Sequence, residues 1–160
     1  MTVRFRLYQP DDFAALYAIE EICFQPPFRF GRRFMRQIVT SARGATWIAE
    51  EEGSMAGFGI VEWEDAFNAI SYIQTLEVLP GMRGRGIGRE LLRRLEVSAG
   101  SAGANAVWLH VDAENKEAIR LYEACGYRCA GREQNYYAAR RDAFVYQKEL
   151  SGTTGTAKGK

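Results

Sequence analysis

Histidine is nearly missing from this chain: His110 is the single one among 160 residues. Cysteine is scarce as well, with Cys23, Cys125 and Cys129 and no Cys-x-x-Cys spacing. These four residues are too few and too scattered for a four-ligand zinc site, so no metal is expected. An odd, unpatterned set of cysteines argues against a disulfide framework and for the reducing cytoplasm. No apolar run approaches the roughly 18–20 residues of a membrane span, and Met1–Arg6 has no apolar stretch of signal-peptide length. Neither sign of charge dominates: 21 basic residues against 20 acidic leave a net +1, which argues against a dedicated nucleic-acid binder. No repeat of 20–50 residues is visible, which sets aside solenoids and propellers.

What is present is the composition of one soluble globular domain, 47% apolar and 26% charged, with enough chain to bury a single core. Residues 2–150 carry the domain. The Gly, Thr and Lys run from Ser151 to Lys160 has nothing to bury and is expected to be a flexible tail.

Val3, Phe5 and Leu7 alternate with Arg4 and Arg6, the period of a half-buried strand. Pro10-Asp11-Asp12 opens a helix whose apolar stripe is Phe13, Leu16, Ile19, Ile22 and Cys23. Two prolines make Phe24–Phe28 a loop. A second helix follows, apolar at Phe34, Met35, Ile38 and Val39. Ala45–Glu51, Met55–Glu64 and Ala69–Leu79 read as strands, the first two joined at Glu52-Gly53-Ser54. Gly57 and Gly59 in the middle strand imply a bulge or the close approach of another group. Gly86–Ala99 is a helix with Ile87, Leu91, Leu92 and Leu95 inward. Ala104–Asp112 is a strand with Val107, Leu109 and Val111 on one face and Trp108 and His110 on the other. Asn115–Cys125 is a helix stopped at Gly126. Tyr127–Gln134 and Asp142–Leu150 are closing strands, with Asn135-Tyr136-Tyr137 between them. The order β-α-α-β-β-β-α-β-α-β-β specifies an α/β (α+β) protein, a mixed sheet of about seven strands with helices on both faces.

The stretch Leu76–Gly88 carries most of the chemical information. An apolar strand ends, a glycine-rich turn with Arg83 and Arg85 follows, and a helix begins. Glycine lets a ligand approach the backbone, and the first N–H groups of a helix attract an anion such as a pyrophosphate. A plain turn with solvated arginines is the plainer reading. A dinucleotide-binding turn is not, because Gly84, Gly86 and Gly88 alternate rather than following G-x-G-x-x-G; a Walker loop lacks its G-K-[ST].

Arg83-x-x-Gly86-x-Gly88 after a strand resembles the acetyl-coenzyme A signature of the GNAT acetyltransferase superfamily. Asn115 and Tyr122, within Asn115–Tyr127, resemble its second signature at a matching separation. The resemblance covers about residues 2–150. Within it, Trp108–Val111, Gln134–Tyr137 and Asp142–Leu150 are similar to the protein N-terminal acetyltransferases, the NatE catalytic-subunit type first and the bacterial ribosomal-protein alanine type next. The latter usually has glutamate at the position of His110. Two features depart from the NatE type: the Phe24–Phe28 loop is longer, and Glu77 replaces a small residue.

The resemblance implies a GNAT fold, acetyl-CoA as cosubstrate, and direct transfer to a free protein or peptide N-terminus; a small-molecule amine or a lysine side chain is the alternative. It implies Tyr72 and His110 as the catalytic pair, Tyr122 as the acid for the departing sulfur, and the Val78 N–H as oxyanion donor. Leu76, Val78, Arg83, Gly84, Arg85, Gly86, Ile87, Gly88, Asn115 and Tyr122 would hold the coenzyme. Phe24, Phe28, Gln74, Tyr136 and Tyr137 would line the substrate groove. It leaves oligomeric state open. Each residue also has an ordinary reading: His110 as a satisfied strand histidine, Tyr72 as a core aromatic, Tyr122 as packing, Asn115 as an N-cap. Glu77 is the rival base, placed by alternation on the face opposite Tyr72 and Gln74 unless a bulge intervenes. Cys125 reads as a buried thiol rather than an acyl carrier. Arg29, Arg32, Arg33 and Arg36 read as a solvated helix face.

Overall fold

The N-terminal alternation becomes strand β1 (Val3–Leu7), and Pro10–Asp12 forms one 3-10 turn that leads into α1 (Phe13–Cys23). The computed structural model describes residues 2–64 and 69–150. The 151–160 tail predicted from composition lies outside them. The chain continues through α2 (Arg32–Val39), β2 (Gly44–Glu51), β3 (Ser54–Trp63), β4 (Ile70–Val78), α3 (Ile87–Ser101), β5 (Ala106–Asp112), α4 (Lys116–Ala124), β6 (Arg128–Ala138) and β7 (Arg141–Glu149). This is the predicted order. The strands form one sheet, β1-β2-β3-β4-β5-β7-β6, antiparallel throughout except for β4 beside β5.

Alternation along β3 divides the core between the two faces. Phe58 and Ile60 pack with Phe13, Leu16 and Ile19 of α1 and with Met35 and Ile38 of α2. Val61 packs on the other face with Leu92, Leu95 and Ala99 of α3 and with Val107, Leu109 and Val111 of β5. Burying one such side chain is worth about 1.5–3 kcal/mol. Gly59 explains how α3 sits so close: a Cβ there would come within 2.8 Å of the Leu95 side chain. Gly57 leaves room for the neighbouring strand, where a Cβ would meet the Glu77 carbonyl at 2.5 Å.

Four sequence expectations need correction. Ile22 is 57% exposed, because the inward stripe of α1 runs through Tyr17 and Glu20 instead. Phe34 is exposed too, and stacks edge-on against Phe30 at the helix entrance. Asn135, Tyr136 and Tyr137 lie within β6, not in a connection after it. Asn135 has φ +54° and sits in a register shift between Glu133 and Ala138, so a turn-like backbone is embedded in a strand. The α2 arginines are not merely solvated: Arg32 covers the Tyr17 ring and Arg36 the Phe13 ring, at 4.5 and 3.8 Å. Among the described residues, no helix is long and apolar enough to cross a membrane.

Candidate active site

The cleft exists because two parallel strands part. β4 and β5 pair only through Ile70–Tyr72 and Ala106–Trp108. Beyond that point β4 runs on to Val78 with its β5 side unpaired, leaving backbone groups available to an extended ligand. A bulge coincides with the parting: Ile60 pairs with Thr75 but Val61 with Ile73, so Gln74 is the extra residue. The bulge changes the expected facing. Phe58 stands opposite Glu77, Ile60 opposite Thr75 and Glu62 opposite Tyr72, which places Tyr72, Thr75 and Glu77 on one face. The strict alternation that set Glu77 apart from Tyr72 therefore fails.

The splayed edge opens into a cleft of about 470 Å³, lined by residues that include Leu76, Val78, Arg83, Gly84, Gly86, Ile87, Gly88, Asn115 and Tyr122. Gly84 and Gly86 have φ +79° and +84°, and a Cβ at either would enter open space. Only glycine holds that left-handed backbone without strain, and the open side leaves the first N–H groups of α3 accessible. Gly88 faces α4 instead: a Cβ there would lie in ordinary contact with the Leu121 side chain, at 3.4 Å. Asn115 caps α4, its Oδ1 accepting from the Ala118 N–H at 3.1 Å. Arg83 lies over the cleft mouth, its Nε donating to the Val78 carbonyl at 2.9 Å. Arg85 departs from expectation. Its guanidinium pairs with Glu51 on β2 at 2.7 Å, and its side chain is not among the cleft-lining residues. Open glycines, helix N–H groups and Arg83 together fit a pyrophosphate-bearing arm. Gly86→Val should raise the coenzyme A dissociation constant at least tenfold by calorimetry while the fold is retained, with a melting temperature lowered by the strain of a β-branched residue at φ +84°; an unchanged constant would remove the phosphate-cradle reading.

At the other end, the expected catalytic pair is assembled. The Tyr72 hydroxyl meets Nδ1 of His110 at 2.5 Å. Nε2 of His110 meets Glu133 of β6 at 2.9 Å, a partner absent from the sequence expectations. Tyr136 stacks flat on the imidazole, 4.2 Å between centroids and 5° between planes. Tyr137 stands edge-on to Tyr136 and packs on Phe28, which also lies under Arg141. Burial, followed by the neighbouring Tyr136 and Tyr137, pushes the Tyr72 phenol well above its ordinary value. Phe24 lines the coenzyme cleft. Gln74 donates to Glu62 at 2.8 Å and lines a second hollow, shared with Tyr72, rather than the coenzyme cleft.

Two carboxyls sit behind the cleft. Glu77 and Glu20 of α1 are 2% and 1% exposed. Glu20 accepts the Phe30 N–H and Glu77 accepts the Thr75 hydroxyl, leaving Oε1 of each without a donor. A proton shared between them would supply that donor. Burial, and then Glu20 alongside, push the Glu77 carboxyl well above its ordinary value of 4.5. A raised pKa in the folded state means stability that is complete below the unfolded value and lost as pH rises through the folded one. Glu77→Gln, whose amide can donate to Glu20, should therefore melt higher than wild type at pH 8, with the difference closing toward pH 4. A difference that widens on acidification would contradict the shared proton.

Tyr122 is buried against Tyr127 and lines the cleft; burial first, and then Glu77, raise its phenol above the ordinary value. Cys23 lines the same cleft, with its thiol 3.6 Å from the Val78 carbonyl and burial raising its pKa, so it stays a thiol. Cys125 packs against the α3-side core. No cluster of three potential metal ligands occurs among the described residues.

Known proteins share sequence and fold with this chain. Residues 13–127 match the acetyltransferase (GNAT) family. The chain is 38% identical over 86 residues to streptothricin acetyltransferase of Streptomyces lavendulae, a stretch covering 54% of this chain and 45% of that protein. It is 32% identical over 104 residues to the ribosomal protein bS18-alanine N-acetyltransferase of Escherichia coli, 63% of this chain and 68% of that one. The crystal structure of the Escherichia coli S18-alanine enzyme is similar over 93% of this chain and 94% of its own, with TM-score 0.82 and 26% identity. That of Arabidopsis thaliana NAA60 with a bisubstrate analogue is similar over 92% and 98%, with TM-score 0.80 and 27% identity. The chain thus spans less than half of the streptothricin enzyme and nearly all of the two solved folds. With the match running through both the glycine turn and the α4 tyrosine, the chain belongs to the GNAT family of acetyltransferases.

Proposed function

We propose that this chain transfers an acetyl group from acetyl-CoA directly to the free amino terminus of a protein or peptide. The observation that carries the reading is the continuous aromatic wall, Phe28–Tyr137–Tyr136–His110–Tyr72, which leads to the open edge of β4. A peptide end is an amine followed by a flat extended backbone. Stacked rings pack such a backbone, and phenol groups can bond its carbonyls.

In this reading the amine nitrogen attacks the thioester carbonyl along the unpaired β4 edge. The amine proton passes to the Tyr72 oxygen while Tyr72 gives its own proton to His110. The Val78 N–H stabilises the oxyanion. As the C–N bond forms and the C–S bond breaks, Tyr122 donates a hydrogen bond to the departing sulfur. It keeps its proton, because a phenol raised above its ordinary value is a weaker acid than a thiol of pKa about 8.5. The thiolate is protonated from solvent after it leaves.

An apolar slot should prefer an apolar first residue, since burying an unpaired carboxylate is costly. Peptides beginning Met-Leu or Met-Ala should be acetylated at least tenfold faster than those beginning Asp or Glu. Tyr137→Ala should raise KM for peptide severalfold and leave KM for acetyl-CoA nearly unchanged. Equal rates across the peptides, with KM untouched by Tyr137→Ala, would count against the slot.

A second reading, a small polycationic amine as acceptor, is favoured by one observation. Glu77 brings a buried carboxyl to the cleft, with Glu20 behind it, where a second ammonium group could be neutralised. The likeness to streptothricin acetyltransferase supports the same reading. It is tested by whether Glu77→Gln raises KM for spermidine without affecting peptides.

A further inference from the structure

We propose that Glu133 is a positioning residue for acetyl transfer: it holds His110 in the tautomer that accepts the Tyr72 proton. The proposal rests on the reading of Tyr72 and His110 as the proton acceptors.

The argument starts from hydrogen-bond valence. An ionised carboxylate can only accept, so its 2.9 Å contact to Nε2 places the imidazole hydrogen on Nε2. A neutral imidazole carries one such hydrogen. Nδ1 then presents its lone pair to the Tyr72 hydroxyl at 2.5 Å, and the Tyr72 O–H must donate. A lone pair of the Tyr72 oxygen can then receive a proton from an incoming amine. Without Glu133, the hydrogen can sit on Nδ1; Tyr72 would then accept from His110, and the chain would run the wrong way.

The strands bring the groups together. His110 pairs across β7 with Val145, Glu133 pairs with Ala143, and Gly131 stands opposite Val145. Directly paired residues share a face, as do residues two apart on a strand, so His110 and Glu133 are diagonal neighbours on one face. Gly131 has open space where a side chain would stand, so nothing from β6 intervenes. Tyr136 covers the ring, which leaves rotation out of the chain no room on that side.

Proton transfer makes the charges favourable as well. When Tyr72 hands its proton to Nδ1 and takes one from the amine, His110 becomes an imidazolium between the Tyr72 oxygen and the Glu133 carboxylate. The carboxylate is unchanged throughout, so the step moves one proton from the amine to the tyrosine and one from the tyrosine to the histidine. An exposed ion pair of this kind contributes little to stability, and Glu133 is 53% exposed. Its role is therefore visible in tautomer and rate, not in melting temperature.

Because His110 is the chain's single histidine, the ring nitrogens can be observed without overlap. In the 15N-labelled protein at pH 8, the Nε2-protonated tautomer should dominate. Glu133→Ala should shift the signals toward a tautomer mixture, and Glu133→Gln, whose carbonyl can still accept, should retain most of the wild-type pattern. With acetyl-CoA and a Met-Leu peptide, Glu133→Ala should lower kcat roughly 10-fold, the low end of the loss when the carboxylate that orients a metal-bound imidazole is removed, with KM for acetyl-CoA and melting temperature unchanged. Glu133→Gln should recover part of the rate. Ring signals identical in wild type and Glu133→Ala would overturn the proposal whether or not any amine proves to be a substrate. Unchanged kcat in Glu133→Ala, with an active parent enzyme, would overturn it too.

Discussion

His110→Ala is expected to lower kcat by roughly 10²–10⁴-fold, the range lost when a positioned acid or base is removed. The affinity for acetyl-CoA should be nearly unaffected. The imidazole reaches Tyr72 and Glu133 but is not among the residues lining the coenzyme cleft. Stability should also change little, since the side chain lies on the face away from Val107, Leu109 and Val111, which are buried in the core. Steady-state kinetics with the donor and acceptor varied separately checks this. Glu77→Gln supplies the contrast. Glu77 shares the Tyr72 face but sits beside Thr75, Glu20 and Cys23, several residues along β4. If Glu77→Gln abolishes turnover and His110→Ala does not, the proton leaves by way of the buried carboxyl pair instead.

Tyr122→Phe should reduce kcat by about 10–100-fold. A hydrogen bond to a charged group contributes roughly 1.5–3 kcal/mol, and here the charge appears only as the C–S bond breaks. The loss should therefore fall on kcat with KM for both substrates nearly constant. The ring keeps its packing against Tyr127, so the variant should fold normally. An acceptor-independent fall, equal for fast and slow peptides, is the expected signature of a group that acts on the leaving sulfur. A rise in KM for acetyl-CoA at constant kcat would make Tyr122 a binding residue only.

How legible this was in the sequence depended on how local each signal was. The glycine turn was readable because its requirement is backbone conformation: Gly84 and Gly86 adopt positive φ whatever packs nearby. The strand order followed from apolar periodicity, which is also local. Arg85 was read as a coenzyme contact on proximity, but Glu51, 34 residues away in the chain, claims its charge. Glu133 gave no signal at all; an isolated glutamate on an exposed strand acquires meaning only once β7 brings it beside His110. The bulge at Gln74 was equally silent, because one extra residue in β4 leaves no compositional trace while reversing which face Glu77 occupies. Asn135-Tyr136-Tyr137 are expected between the closing strands, whereas Asn135 adopts a turn-like φ of +54° inside β6, a local distortion that strand periodicity does not reveal.

The central claim is that the acceptor is the α-amine of an extended chain held along an aromatic wall. The most direct test is to incubate the protein with acetyl-CoA and one peptide carrying both a free Met-Leu amino terminus and an internal lysine, and to locate the acetyl group by fragmentation mass spectrometry. The account predicts acetyl on the terminal nitrogen, with no product when that terminus is blocked. Acetyl on the lysine side chain, or no peptide product while spermidine is acetylated, would contradict it.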